Sequence, residues 1–207
     1  MKSLPEYLGT VSEAAQVKRA VFVDRDGTIS EEVGYIRDLN QFHLMPHSAE
    51  AIKLMKEHGL KVIVVTNQSG VARGYFTEAL VKKVHKKMES LLSEQGAYLD
   101  AIYYCPHYPE GVVKFYCKVC ECRKPATGLL EQASQKHDID LAASYLVGDK
   151  VTDIELAHRV GAKAVLVLTG YGPEELKKIH GGALPQPAYV AIDLYDAARW
   201  IVSDLGA

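Results

Sequence analysis

The stretch Ala20–Thr28 reads AVFVDRDGT and decides the fold. Its first four residues are apolar and end abruptly at charged residues, a pattern typical of a buried strand in a parallel sheet. Asp24 and Asp26 stand just after this strand, and Gly27 lets the chain begin a turn. Ligands of open α/β sheets bind outside the carboxyl ends of the strands, so this junction is the expected position of a functional site.

Short apolar runs alternate with amphipathic segments along the chain, which indicates an α/β domain with a mainly parallel sheet. Further strands are predicted at residues 61–67, 100–105, 144–149, 162–170 and 188–193. Helices are predicted at residues 48–59, 77–92, 127–137, 151–161 and 194–205. Because no repeat or linker interrupts this order, we predict a single domain over residues 1–207.

The composition excludes several classes of protein. The 207 residues carry a formal net charge of −2, which is not the basic footprint of a nucleic-acid-binding protein. No run approaches the roughly 18 apolar residues that a membrane span requires. The first nineteen residues lack the apolar core of a signal peptide, so we expect a cytoplasmic protein with reduced thiols. Nothing in the sequence suggests an obligate oligomer, and we expect a monomer.

Polar groups follow the other predicted strands as well. Thr66 and Asn67 end the second strand, Arg123 and Lys124 precede a helix, and the fourth strand leads into GDKVTD at residues 148–153. A hydroxyl group, a lysine and several carboxylates at one sheet edge suit phosphoryl transfer. The carboxylates would hold a hard divalent cation, and the cation and lysine would offset the charge of the transferring oxygens.

In order along the chain, DRDGT, the threonine of VVTNQSG, the lysine of RKP and the aspartate of VGDKVTD resemble the four motifs of the haloacid dehalogenase superfamily of phosphatases. The resemblance covers residues 20–169 and implies a Rossmann-like three-layer α/β/α fold. It implies that Asp24 is the nucleophile that becomes an aspartyl phosphate, and that Asp26 is the general acid and base. Thr66 and Lys124 would stabilise the phosphoryl group.

The same resemblance implies a Mg²⁺ ion held by the carboxylates of Asp24 and Asp149 and by the backbone carbonyl of Asp26. Splitting the reaction through a covalent intermediate makes physical sense, because the metal reduces the repulsion between a carboxylate and an anionic ester. The role of Asp153 stays open between support of this site and capping of the following helix.

Additional segments, GYI, YYCPHYPEG and CECRKP among them, are similar to the heptose bisphosphate phosphatases of this superfamily, which act in the synthesis of activated heptose for lipopolysaccharide and surface-layer glycoproteins. The resemblance implies a sugar bisphosphate substrate and contacts from Glu32, Val33, Gly34, Tyr35, Thr66, Asn67, Gln68, Ser69, Arg123, Lys124 and Lys150. Arg123 would bind the phosphate that is not cleaved. The histidinol-phosphate phosphatases are an alternative, as is a zinc-containing scaffold without catalysis. The anomer of the substrate, and hence an ADP- or GDP-heptose route, is left open.

All four cysteines lie between residues 105 and 122, together with His107. In a reduced compartment such a cluster indicates a structural zinc ion with four soft or borderline ligands. Spacing alone favours the C-x-x-C pair Cys117 and Cys120. The family resemblance instead implies that Cys105, His107, Cys120 and Cys122 bind zinc and that Cys117 does not. The other histidines show no ligand spacing and are expected in surface or capping roles; they are His43, His47, His58, His85, His137, His158 and His180.

Overall fold

A computed structural model describes residues 18–206, and the expectations for the first seventeen residues lie outside this range. One sheet of six parallel strands has the order β3-β2-β1-β4-β5-β6. The strands are β1 (Ala20–Val23), β2 (Lys61–Asn67), β3 (Ala101–Cys105), β4 (Tyr145–Gly148), β5 (Lys163–Val167) and β6 (Tyr189–Ala191). The predicted parallel α/β architecture is confirmed.

Six helices cover the two faces of the sheet. They are α1 (Ser48–Glu57), α2 (Glu78–Glu94), α3 (Gly128–His137), α4 (Val151–Val160), α5 (Gly172–Gly181) and α6 (Leu194–Leu205). Side chains alternate along β1, so that Val21 and Val23 pack against α1, α2 and α6, while Ala20 and Phe22 pack against α3, α4 and α5. The result is the three-layer α/β/α fold. Among the described residues, no helix combines the length and the apolar character needed to cross a membrane.

The predicted elements differ from the observed ones at two kinds of position. Strands β1 and β2 have the predicted bounds. Each of the strands β3 to β6 is shorter than predicted, by between one and four residues. Helix α5 is not among the predicted helices. It begins at Gly172 with Pro173 in its first turn, and Ile179 is its only fully buried side chain of large size. An apolar stripe this short shows too little helical periodicity to predict a helix.

Strand β1 occupies the point where the strand order reverses. It pairs with β2 on one side and with β4 on the other. The amide of Asp24 donates to the carbonyl of Val147, which joins the ends of β1 and β4 over 2.9 Å. The crevice at such a reversal is the usual ligand position of an open α/β sheet, and here it collects the loops that follow β1, β2 and β4.

Candidate active site

A cavity of about 330 Å³ opens at the carboxyl ends of these strands. Nine of the eleven predicted substrate contacts line it, namely Glu32, Gly34, Tyr35, Asn67, Gln68, Ser69, Arg123, Lys124 and Lys150. Val33 and Thr66 are not among the lining residues: Val33 is exposed to solvent, and Thr66 is buried. Whether these side chains bind a substrate stays a prediction, but the fold brings them to one place.

Three buried carboxylates and one buried lysine form the floor of this region. Asp24, Asp149 and Asp153 each place a carboxylate oxygen within 4.8 Å of the others. Lys124 Nζ lies 3.0 Å from Asp24 Oδ2 and 2.6 Å from Asp153 Oδ1, and it donates to the carbonyl of Val65. Asp153 also accepts the Lys150 amide, so it both caps α4 and belongs to the cluster. The capping interpretation of Asp153 is therefore confirmed, whereas its support of a metal site stays a prediction.

The charges in this cluster do not balance. Burial, and then the nearby Asp24 carboxylate, raise the pKa of Asp149 to about 7. Burial also raises the pKa of Asp153 to about 6, although Lys124 opposes that change. For Lys124, burial lowers the pKa, but Asp153 and Asp24 outweigh it and the net shift is upward. Besides the buried Lys124, only the partly exposed Lys150 approaches the cluster among the described residues, with its Nζ 4.0 Å from Asp149 Oδ1, so the three buried carboxylates retain an excess of negative charge.

This excess suits a divalent cation. Asp149 Oδ1 is buried and accepts no hydrogen bond from any residue between 18 and 206. Unpaired buried oxygens are costly, and hard cations such as Mg²⁺ bind through carboxylate and carbonyl oxygens. The donor set at this position therefore fits the predicted magnesium site.

Close backbone approach around Asp149 depends on glycine. A Cβ atom added to Gly27 would stand 2.2 Å from Asp149 Oδ2, and one added to Gly170 would stand 2.3 Å from the same oxygen. Gly27 also has a φ of +82°, a conformation that other residues adopt only with strain. The turn after DRD can thus contact the Asp149 carboxylate only because residue 27 carries no side chain.

Gly27→Ala is expected to lower kcat by about 100-fold or more, because the displaced Asp149 carboxylate no longer aligns with Asp24. The free energy of unfolding should fall by about 1–3 kcal/mol. Phosphate-release assays and urea titrations measure the two effects. Gly59→Ala is a matched control, since Gly59 has a φ of +76° but no described atom within 4 Å of the added Cβ. A Gly27→Ala variant no less active than Gly59→Ala would contradict this account of the turn.

Asp26 points into the cavity and is held from several sides. Arg25 Nε donates to Asp26 Oδ1 at 2.9 Å, and Arg25 Nη2 lies 2.5 Å from Oδ2. Gln68 Nε2 donates to Oδ2 at 2.9 Å and to Thr66 Oγ1 at 3.0 Å. Burial would raise the pKa of Asp26, but Arg25 and Gln68 outweigh it and hold that pKa below its usual value. Arg25 and Gln68 thus hold the Asp26 carboxyl group in one direction and favour its ionised form.

The loops around the cavity are tied together by polar contacts. Both polar groups of the Asn67 side chain bond to the backbone of Lys124, at 3.0 and 3.1 Å, so this side chain joins two loops. Lys150 Nζ lies 3.3 Å from Glu32 Oε2 across the cavity. At the edge, the guanidinium groups of Arg73 and Arg123 lie 3.7 and 5.1 Å from the ring of Tyr108. Two cations on one ring favour an anionic ligand beside them.

The cysteine loop brings together the four residues that the family resemblance selects. One ligand atom each of Cys105, His107, Cys120 and Cys122 lies within 4.8 Å of the others. Cys122 Sγ is 3.1 Å from Cys105 Sγ and 3.2 Å from both Cys120 Sγ and His107 Nδ1. Cys117 is outside this group, and its thiol donates to the carbonyl of Val113. The arrangement could hold a metal ion, and the pairing suggested by C-x-x-C is not the one the fold produces.

One prediction about the histidines is wrong. His85 is not at the surface and does not cap a helix; it is buried on α2, and its Nε2 atom lies 3.2 Å from Arg25 Nη1. Arg25 itself was not singled out, although it stands between the two aspartates of DRDGT. Glu78, also on α2, accepts hydrogen bonds from Tyr104 and Tyr116 at 2.5 and 2.7 Å and thereby fixes the cysteine loop. These contacts join residues too distant in sequence for spacing to reveal them.

Comparison with known proteins agrees with this geometry. The family profile described as HAD-hydrolase-like matches residues 121–197. The chain is 43% identical over 190 residues to the D-glycero-D-manno-heptose-1,7-bisphosphate 7-phosphatase of Thermosynechococcus vestitus, covering 90% of this chain and 96% of the relative. It is 45% identical over 153 residues to the D-glycero-beta-D-manno-heptose-1,7-bisphosphate 7-phosphatase of Yersinia pestis, covering 73% and 81%.

A solved structure is similar as well. The crystal structure of D,D-heptose 1,7-bisphosphate phosphatase from B. bronchiseptica, complexed with magnesium and phosphate, superposes with a TM-score of 0.80 at 32% identity. The similarity covers 90% of this chain and 99% of that one. With the four strand-end motifs assembled around one cavity, these similarities show that the chain belongs to the heptose-1,7-bisphosphate 7-phosphatase family of the HAD-like hydrolases.

Proposed function

We propose that this protein hydrolyses the 7-phosphate of D-glycero-D-manno-heptose 1,7-bisphosphate through a phosphorylated Asp24. The observation that carries the proposal is the buried pair of Asp24 and Lys124, which lie 3.0 Å apart, together with the cavity that Lys124 and Asp26 line. In the proposed reaction these three residues supply the nucleophile, the cation and the proton carrier that phosphoryl transfer requires. The names of the relatives supply the substrate.

In the first half-reaction, an Asp24 carboxylate oxygen forms a bond to phosphorus while the bond from phosphorus to the sugar oxygen breaks. Lys124 holds the Asp24 oxygen in place and offsets charge on the phosphoryl oxygens. We propose the same stabilising role for Thr66, whose hydroxyl lies under the cavity beside Gln68. The negative charge of the bound phosphate ester would favour the protonated form of Asp26, and this form gives its proton to the departing sugar oxygen.

In the second half-reaction, a water oxygen attacks phosphorus and the bond from Asp24 to phosphorus breaks. Asp26 takes the proton of this water, so it regains in the second step what it gave in the first. The carboxylate seen here, ionised and held by Arg25 and Gln68, is the form that accepts this proton. Mg²⁺ held by Asp24, Asp149 and the carbonyl of Asp26 would offset the negative charge gathered around phosphorus.

We assign the uncleaved phosphate to the cationic edge of the cavity. Arg123 lines the cavity, and its guanidinium group shares the Tyr108 ring with Arg73. A planar guanidinium binds two phosphate oxygens at once, which an ammonium group cannot do as well. Lys150 and the segment 32–35 would contact the sugar from the opposite side of the cavity.

For the cysteine loop we propose a structural zinc ion bound by Cys105, His107, Cys120 and Cys122. A set of four thiol and imidazole ligands is typical of zinc and leaves no open position for catalysis. Such a thiolate site requires reduced cysteines, in line with a cytoplasmic enzyme. We further propose that the enzyme acts as a monomer.

The substrate proposal is tested by measuring phosphate release from the heptose bisphosphate and from histidinol phosphate. We expect kcat/KM to be at least about 100-fold higher for the bisphosphate, because histidinol phosphate lacks the second phosphate and leaves Arg123 unpaired. Removal of Mg²⁺ with a chelator should abolish turnover, and added Mg²⁺ should restore it.

Each alternative has its own result in the same assay. A higher kcat/KM on histidinol phosphate than on the bisphosphate would refute the heptose assignment and favour the histidinol-phosphate phosphatases, and equal values would refute the expected preference for the bisphosphate. A chain that releases phosphate from no ester, with Mg²⁺ present, would be a scaffold and not an enzyme. Separate assays of the α and β anomers of the bisphosphate would distinguish the GDP- from the ADP-heptose route.

A further inference from the structure

The side chain of Arg25 is almost completely enclosed, with only 2% of its surface exposed. All three of its guanidinium nitrogens contact a neighbouring side chain. Nε and Nη2 bind the two oxygens of Asp26, and Nη1 lies 3.2 Å from His85 Nε2. A buried guanidinium group is costly unless its donors are satisfied, so this geometry is strongly determined.

His85 meets Arg25 as a neutral group. Burial, and then the charge of Arg25, lower the pKa of His85 to about 3. A neutral imidazole has one donor and one acceptor nitrogen, and the nitrogen that faces a guanidinium must be the acceptor. His85 Nε2 therefore accepts from Arg25. The imidazole carries no negative charge. It therefore orients the guanidinium group by a hydrogen bond, and the ion pair of Arg25 remains with Asp26.

The imidazole is itself held in place. His85 lies on α2, and its ring packs edge-on against Tyr104, with the ring centroids 5.3 Å apart. The Tyr104 hydroxyl donates to Glu78, which is on the same helix. The direction of the Arg25 guanidinium group is thus set by contacts with a helix and a neighbouring strand of the sheet, in addition to the turn that carries Arg25.

We propose that His85 is a positioning residue for the phosphatase reaction: acting through Arg25, it fixes the direction of the Asp26 carboxyl group. The inference rests on the proposed function and adds to it a residue outside the four sequence motifs. A misdirected Asp26 would no longer deliver its proton to the leaving oxygen, and a displacement of about 1 Å can cost about 100-fold in rate.

The leaving group provides a specific readout. A sugar alcohol needs a proton from Asp26 to depart, whereas p-nitrophenolate is a weak base and departs without one. The ratio kcat/KM reports only the steps up to the departure of the leaving group. Loss of Asp26 orientation should therefore lower kcat/KM for a sugar phosphate far more than for p-nitrophenyl phosphate.

The experiment compares His85→Leu with His85→Gln on both substrates. For His85→Leu we expect kcat/KM to fall about 100-fold on the heptose bisphosphate and less than about fivefold on p-nitrophenyl phosphate. His85→Gln should stay within about fivefold of the unmodified protein on both, because the glutamine amide oxygen reaches the position of Nε2 and accepts from Arg25. Thermal unfolding of each variant establishes that it is folded.

Several results would overturn the inference. Equal losses on the two substrates would show that His85 only supports the fold, and a His85→Gln variant as impaired as His85→Leu would show that the acceptor is irrelevant. If His85→Leu does not fold, Arg25→Lys tests the inference instead. Lysine keeps the positive charge but lacks the planar guanidinium group that binds both Asp26 oxygens, so this variant should show the same dependence on the leaving group. None of these results touches the proposed function, which is tested on the unmodified protein and fails if that protein does not hydrolyse the heptose bisphosphate.

Discussion

Asp24→Asn is expected to reduce phosphate release from the heptose bisphosphate by at least about 10⁴-fold. An asparagine amide has nearly the shape of the carboxylate but does not attack phosphorus, so the covalent intermediate cannot form. The fold should persist, because Lys124 keeps its contacts with Asp153 and with the carbonyl of Val65. Removing one negative charge from an overcharged buried cluster is also not expected to destabilise it.

Two measurements check this expectation. Steady-state assays give the loss of rate, and intact-mass analysis after an acid quench detects phosphate bound covalently to the protein. Only the unmodified chain should carry this phosphate. Asp138→Asn is a matched control with the same chemical change, since the Asp138 side chain is 87% exposed and, within residues 18–206, its ion pair is with the exposed Lys18. A covalent phosphate on the Asp24→Asn variant would show that another group is the nucleophile.

Cys122→Ser is expected to lose bound zinc and about 100-fold or more of the activity. Cys122 Sγ lies within 3.2 Å of three other ligand atoms, so its removal opens the proposed site. Zinc that orders a loop contributes directly to the free energy of folding of that loop. Cys122 also immediately precedes Arg123 and Lys124, and a loosened backbone there displaces the lysine from Asp24.

Cys117→Ser is the matched control, because it makes the same substitution five positions earlier in the same loop. The Cys117 thiol only donates to a backbone carbonyl, which a serine hydroxyl can also do. Metal analysis should find one zinc ion per chain in this variant, together with nearly full activity. Zinc retained by Cys122→Ser, or lost by Cys117→Ser, would contradict the proposed ligand set.

The sheet could be predicted because each strand is indicated by the residues of its own segment. Strand β1 is apolar along its whole length and β2 is apolar from Val62 to Val65, and each apolar run ends at polar residues that mark the end of the strand. Helix α5 was not predicted because it buries few apolar side chains, so its sequence shows no clear helical periodicity. The motifs at the strand ends were also local, and the parallel topology then required them to lie at one edge.

The orientation of side chains within the site could not be predicted in this way. Nothing near His85 in the sequence indicates that α2 turns it toward Arg25, a contact between residues 60 positions apart. The choice of Cys122 over Cys117 came from family resemblance, and only the folded loop shows which thiols converge. Sequence spacing therefore identified the groups, whereas tertiary packing determined which of them meet.

The position of β1 between β2 and β4 has a consequence for the growing chain. Asp24 emerges early in synthesis, but Asp149 follows β4, long after β2 and β3 have been made. A nascent chain that has completed only the first three strands holds Asp24, Asp26 and Thr66 but lacks the Asp149 and Asp153 carboxylates of the buried cluster. Phosphatase activity therefore requires that β4 has docked against β1. The time at which activity appears during translation would report when this docking occurs.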